Sequence, residues 1–140
     1  METLVIDVAK VLVLTDENEL LLLTRAAHDA SRAGEPDFPG GSANEGEPEK
    51  GAAVRELCEE TGIEANPEDL EAIDVDWTDE EREELTKGSK LPYAKLNRRY
   101  FLLRTAARLA VRTDPNEHSG YGWFAPDAAL RQLAPKPGEP

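Results

Sequence analysis

The sequence is short of cysteine, of positive charge and of long apolar runs, and each shortage excludes something. Cys58 is the only cysteine in 140 residues, so no internal disulfide can form. Lys and Arg number 16 against 29 Asp and Glu, which leaves a formal net charge of −13. That excess of acid argues against general nucleic-acid binding and against binding to anionic membranes. The leucines Leu20 to Leu23 are far too few to span a bilayer. No basic segment followed by a long apolar one opens the chain, so no signal peptide is expected, and the expected location is cytoplasmic. The length suits one domain with a real core, expected over residues 1–134, with a frayed tail over 135–140.

Strand and helix signals alternate along the chain. Leu4 to Leu14 is β-branched and apolar and reads as a strand. Asp16-Glu17-Asn18 is a turn signal, and Glu19 to Thr24 reads as the returning strand of a hairpin. Ala26 to Asp37, with Gly34 and Pro36, reads as a loop. Leu70 to Trp77 and Asn97 to Arg104 read as strands, Ala107 to Arg112 as an extension of the latter or a further strand, and Tyr121 to Phe124 as the last strand. Asp79 to Lys90 is highly charged and reads as a short helix or an insertion. Pro126 to Leu133 reads as a helix with its proline in the first turn. Mixed strands with two main helices give an α+β or α/β class.

The chemistry concentrates between Phe38 and Ile63. Pro48 suits a first helical position and Gly62 the left-handed residue after a helix end, so the stretch between them reads as one helix. At about 100° per residue, Leu57, Cys58 and Thr61 fall on the side of Val54, and Glu56, Glu59 and Glu60 fall together on the other. Cys58 is therefore expected to be a small buried thiol. Three carboxylates three and four residues apart repel one another, and a helix that accepts the repulsion calls for a cation. Oxygen-only ligands favour a hard ion such as Mg²⁺ or Mn²⁺. Arg55, four residues before Glu59, is in reach to hold it in one rotamer by a forked contact. Gly40 and Gly41 let backbone carbonyls approach the same ion.

The run is Gly41, five residues, Glu47, seven residues, Arg55-Glu56-Leu57, one residue, Glu59-Glu60, one residue, Gly62-Ile63. It resembles the Nudix box, the signature of the Nudix hydrolase family, at every defined position. The resemblance implies an α/β/α sandwich around a mixed sheet, an α+β Nudix fold. It implies metal-dependent hydrolysis of a diphosphate linked to another moiety, usually a nucleoside. Glu56, Glu59 and Glu60 then look like metal-binding side chains, the Gly41 carbonyl like an added ligand, Arg55 like the residue that orients Glu59, and Glu47 like the more distant box glutamate. The implied partner is a nucleotide-like diphosphate substrate, for a monomer or homodimer. A ligand-sensing domain with no turnover and an isoprenoid-diphosphate isomerase share the fold. The box is intact, which speaks against the first. The isomerase reading wants a catalytic cysteine and more histidines than His28 and His118.

Outside the box, Glu117 is the further candidate, as general base or metal ligand, or else an exposed loop glutamate. The run Glu117-His118-x-x-Tyr121-x-Trp123 is similar to segments of bacterial nucleotide pyrophosphatases and dinucleoside-tetraphosphate hydrolases. His118 reads as a supporting or surface histidine. Tyr121 and Trp123 share one strand face and read as core or pocket wall. Lys87 to Arg99 is basic in an acidic chain, and Arg98, Arg99 and Arg25 are candidates for substrate phosphates. Lys87 and Lys90 read as partners of the neighbouring acids.

Overall fold

Alternation of apolar residues builds a mixed sheet with a helix on either face. The computed structural model describes residues 4–28, 33–73, 82–84 and 93–133. The strands are β1 (Leu4–Thr15), β2 (Leu20–Arg25), β3 (Pro36–Asp37), β4 (Gly40–Ser42), β5 (Leu70–Ile73), β6 (Arg82–Glu84), β7 (Tyr93–Thr105) and β8 (His118–Phe124). The helices are α1 (Glu49–Thr61) and α2 (Pro126–Leu133), with a 3₁₀ turn at Pro67–Asp69. The longest ladder is parallel, β1 on β7, from Leu4 opposite Ala94 to Thr15 opposite Thr105. β2 pairs antiparallel with β8, and β4 pairs antiparallel with β1. No described helix is long and apolar enough to cross a membrane.

Ala9, Val11 and Val13 of β1 point to one face and meet Leu21, Leu23, Phe101 and Leu103 there. Ala52, Ala53 and Leu57 of α1 close that core. Leu57 is fully buried, and cutting such a leucine to alanine costs about 2–5 kcal/mol. Lys10 and Leu12 alternate to the opposite face, where they share a cleft with Ala129 and Leu133 of α2. Asn18 turns the hairpin at φ 62°, a left-handed conformation that asparagine tolerates.

Four expectations change. Cys58 is exposed, not buried. The buried face of α1 is Ala52, Ala53, Leu57, Glu60 and Thr61. Measured from Ala53, Leu57 lies at about 40°, Glu60 at about −20° and Cys58 at about 140°, so the stripe against the sheet includes Glu60 and leaves the thiol outside. Ala107 to Arg112 is irregular rather than a strand; its backbone is tied to the end of α1 by Arg112 N–H on Thr61 O at 2.8 Å. Asp79 to Lys90 contributes a strand, β6, which adds to β7; Lys87 and Lys90 lie outside the described residues, as do residues 74–77 and the expected tail. Pro36 and Asp37, read as loop, form the short edge strand β3 on β2.

Candidate active site

Helix α1 is delivered to its place by its ends. Pro48 occupies the cap position with Glu49 in the first turn, one residue later than the sequence suggests, and Gly62 ends the helix at φ 76° with its N–H on Cys58 O. The Phe38-Pro39-Gly40 turn packs beside it. Lys10 Nζ donates to the Phe38 carbonyl at 3.3 Å and to Asp37 Oδ2 at 2.8 Å, and Val11 N–H donates to Pro39 O at 2.8 Å. The turn thereby points Gly40 N–H at Glu60 Oε1, at 2.7 Å.

One cleft of about 470 Å³ gathers Arg25, Gly41, Glu56, Glu60, Glu117 and His118, with Lys10 and Asn116 also in its wall. Glu117 is carried there by a turn whose backbone is anchored on both sides. Glu117 N–H donates to Asp114 O, and Ala26 N–H donates to Glu117 O, each at 2.9 Å. Arg25 lies 3.6 Å from Asp37. Of the residues singled out in the sequence, the cleft thus brings together Arg25, Gly41, Glu56, Glu60 and Glu117.

Burial pushes the Glu60 carboxyl up to about 7, against the Gly40 N–H and Lys10, which favour its charge. Burial likewise pushes Glu56 up; Arg55 opposes the shift, while Glu59 and Glu117 add to it. His118 is pushed down by burial and by Arg25, so its ring is held toward the neutral form.

Arg55 does not spend its fork on Glu59. Its Nε and Nη2 donate to the two oxygens of Glu47, both at 2.9 Å. Its Nη1 reaches Glu56 at 3.1 Å and Glu59 at 3.2 Å, and Nη2 also reaches Ser42 O at 3.1 Å. The Arg55 guanidinium and the Asn44 N–H hold Glu47 down at about 2. Arg55 therefore ties the Glu47 loop, the end of β4 and two helix carboxylates into one cluster.

The remaining expectations fall elsewhere. Glu59 is 57% exposed, outside the cleft lining, and held aside by Arg55. Arg98 lines a second, largely apolar cleft of about 660 Å³ beside α2, with Phe38, Tyr100 and Leu130. Arg99 alternates to the α1 face, where it lies 3.5 Å from Glu49. Tyr121 is 49% exposed and lines neither cleft. Trp123, on the same strand face, packs against the core. Sequence reasoning missed Lys10 and Asp37. Lys10 is 9% exposed and lines both clefts. A lysine inside the apolar run from Val8 to Leu14 is its one signal.

The chemistry of the donor groups in this cleft suits a divalent ion. The donor set is carboxylate and carbonyl oxygen, suited to a hard cation. Glu56, Glu60 and Glu117 crowd like charge in one place. A Cβ on Gly41 would lie 2.7 Å from the Glu56 carboxyl carbon, so glycine alone leaves this backbone and that carboxylate side by side. Among the described residues no three acidic, His or Cys side chains are gathered closely enough to hold an ion as they stand, and Glu59 is the one turned away toward Arg55.

Comparison with known proteins gives the family and the fold. The chain is 45% identical over 51 residues to the 8-oxo-dGTP diphosphatase of Escherichia coli K12, a match covering 36% of this chain and 40% of that relative. The aligned part is thus well under two thirds of the relative's length. The fold superposes on a MutT protein from Methanosarcina mazei Go1 with a TM-score of 0.69 and 26% identity, over 96% of this chain and 88% of that one. It superposes on the E. coli dihydroneopterin triphosphate pyrophosphohydrolase with a TM-score of 0.67 and 23% identity, over 92% and 86% of the two chains. The NUDIX domain family model matches residues 6–140, so the chain belongs to the Nudix family.

Proposed function

We propose that this protein hydrolyses a diphosphate linkage in a nucleoside diphosphate derivative, of the nucleoside triphosphate or dinucleoside polyphosphate type, with Mg²⁺ or Mn²⁺. The observation that carries the reading is a pair of clefts that share one wall residue. Lys10 lines both an acidic one, with Glu56, Glu60 and Glu117, and a largely apolar one with aromatic walls, Phe38 and Tyr100. With a divalent ion between carboxylates and phosphates, the acidic cleft suits a diphosphate, and the aromatic walls of the other suit a flat ring. The name of the E. coli relative, a diphosphatase of a nucleoside triphosphate, supports the same class.

In this reading Glu56, Glu59, Glu60 and the Gly41 carbonyl are the groups that hold the ion. When bound, a divalent ion neutralises charge between carboxylates and diphosphate and lowers the pKa of water. The chain's own groups do the rest. Arg25 and Arg98 bind substrate oxygens, and Lys10, in the wall of both clefts, holds the Phe38 turn through Asp37 and the Phe38 carbonyl. A carboxylate takes the proton of the attacking water as its oxygen bonds to phosphorus. The anhydride P–O bond breaks and its electron pair leaves with the departing phosphate. Glu117 is the proposed base. Arg99 and Tyr121 have no part in this reading.

Glu117→Gln is expected to lower kcat by about 10²–10⁴-fold, the range of general acid–base catalysis, and to change the acid limb of the pH–rate profile. Mn²⁺ affinity stays within a few-fold in that variant. Unchanged kcat and an unchanged profile would remove Glu117 from the reaction; a large loss of Mn²⁺ affinity would make it a ligand instead.

Arg55→Lys keeps a charge but cannot reproduce the two parallel bonds to Glu47 together with those to Glu56, Glu59 and Ser42. A drop in kcat of about 10–100-fold is expected, with KM moving much less. Steady-state kinetics equal to wild type would show the cluster to be dispensable.

A further inference from the structure

Among the described residues, His118 Nδ1 is the buried side-chain nitrogen or oxygen that has no hydrogen-bond partner. The side chain is 7% exposed, at the start of β8 and in the wall of the acidic cleft. Leaving a buried polar atom unpaired costs about 1–3 kcal/mol, so this ring needs a compensating contact. Its other nitrogen faces one. His118 Nε2 lies 3.7 Å from Glu60 Oε2, just beyond hydrogen-bond reach, while Glu60 Oε1 already receives Gly40 N–H at 2.7 Å.

The two tautomers differ in consequence. A ring with its proton on Nε2 offers that proton to Glu60 Oε2, and a shift of about 0.8 Å closes the bond. Nδ1 is then an acceptor, suited to one buried water. A ring with its proton on Nδ1 would set a lone pair against the carboxylate and bury an unpaired donor. Nδ1 needs a water in either tautomer, so the contact with the ionised Glu60 carboxylate is what favours the first arrangement.

We propose that His118 is a positioning residue: its Nε2–H fixes Glu60 Oε2 as the Gly40 N–H fixes Oε1, so that Glu60 offers a divalent ion one orientation. The proposal rests on the functional reading above. Partners that orient a metal ligand from behind change affinity by about 10–100-fold when removed.

The test uses the full chain and has two arms. In the first, Mn²⁺ binding is measured by calorimetry without substrate. His118→Leu, which fills the site but donates nothing, is expected to weaken binding by about 10–100-fold. His118→Gln, whose amide nitrogen lies near the Nε2 position, is expected to recover most of that loss. In the second, ¹⁵N NMR of the labelled imidazole in the unaltered Mg²⁺-loaded protein is expected to show the Nε2–H tautomer. Mn²⁺ binding in His118→Leu equal to wild type, or the Nδ1–H tautomer, would overturn the proposal. The tautomer decides the matter even where the Leu variant does not fold. Loss of Mn²⁺ binding in Glu60→Gln with full binding in His118→Leu would sink this proposal and leave the functional reading standing. A wild-type chain that neither binds Mn²⁺ nor turns over any nucleotide would end both.

Discussion

Glu60→Gln is expected to lower turnover by at least about 100-fold, because outer partners of a metal ligand alone account for 10–100-fold. The substitution keeps the shape and the acceptor for Gly40 N–H, and removes the charge. Glu59→Gln is expected to behave alike in rate. The two differ in stability. Burial holds the Glu60 carboxyl at about 7 in the folded chain, above its ordinary 4.5. A carboxyl raised on folding stabilises the fold below its unfolded value and loses that contribution as pH rises through the folded value. The metal-free wild type is therefore expected to lose stability between pH 4.5 and about 7, on the order of 3 kcal/mol. Glu60→Gln removes the Glu60 part of this dependence, leaving that of Glu56, and in excess chelator is more stable than wild type at pH 8. Denaturant unfolding against pH checks it. Glu59 is 57% exposed, and Glu59→Gln leaves the pH dependence in place. A Glu60→Gln variant with normal turnover, or one that is less stable at pH 8 without metal, would contradict the assignment.

Gly40→Ala is expected to be the most destabilising single change near the site. Gly40 sits at φ 144°, and a Cβ there would lie 2.1 Å from the Ala9 carbonyl oxygen and 2.7 Å from Lys10 Cα. Both obstacles are backbone of β1, the strand at the centre of the sheet, and neither swings aside as a side chain does. Left-handed strain of about 1–2 kcal/mol and overpacking of about 1–3 kcal/mol add to a loss of about 2–5 kcal/mol. Movement of β4 would also withdraw the Gly40 N–H from Glu60, so activity falls further than the folded fraction does. A midpoint of urea unfolding within error of wild type would refute this.

The sequence carried the box well because its spacing is local. Pro48 and Gly62 bracket α1 within one residue of its ends, and the hairpin at Asp16 to Asn18 is a local signal too. The facing of α1 was not legible. Ala52 and Ala53 are small and do not stand out in an apolar pattern, while Val54 and Cys58 do. Packing against β1 and β4 buries the alanines, which rotates Glu60 inward and Cys58 outward. The fork of Arg55 was assigned by helical spacing to Glu59, whereas its tightest partner, Glu47, lies in the preceding loop, where no periodicity applies. The Lys10–Asp37 pair joins residues on strands β1 and β3 and depends on how the Phe38 turn lies over the sheet, which only the tertiary fold supplies. Glu117 was placed near the box by its position before a strand, and its side chain lines the same cleft as Glu56 and Glu60.

The most direct test is turnover of nucleoside triphosphates and dinucleoside polyphosphates by the purified chain, with Mg²⁺ or Mn²⁺ and again in excess chelator, the products identified by mass spectrometry. The account predicts cleavage within the phosphate chain, giving a nucleoside phosphate and the complementary phosphate fragment, with turnover abolished by chelator and restored by added metal. Full turnover in chelator, or no cleavage of any of these substrates by a folded chain that binds Mn²⁺, would contradict it.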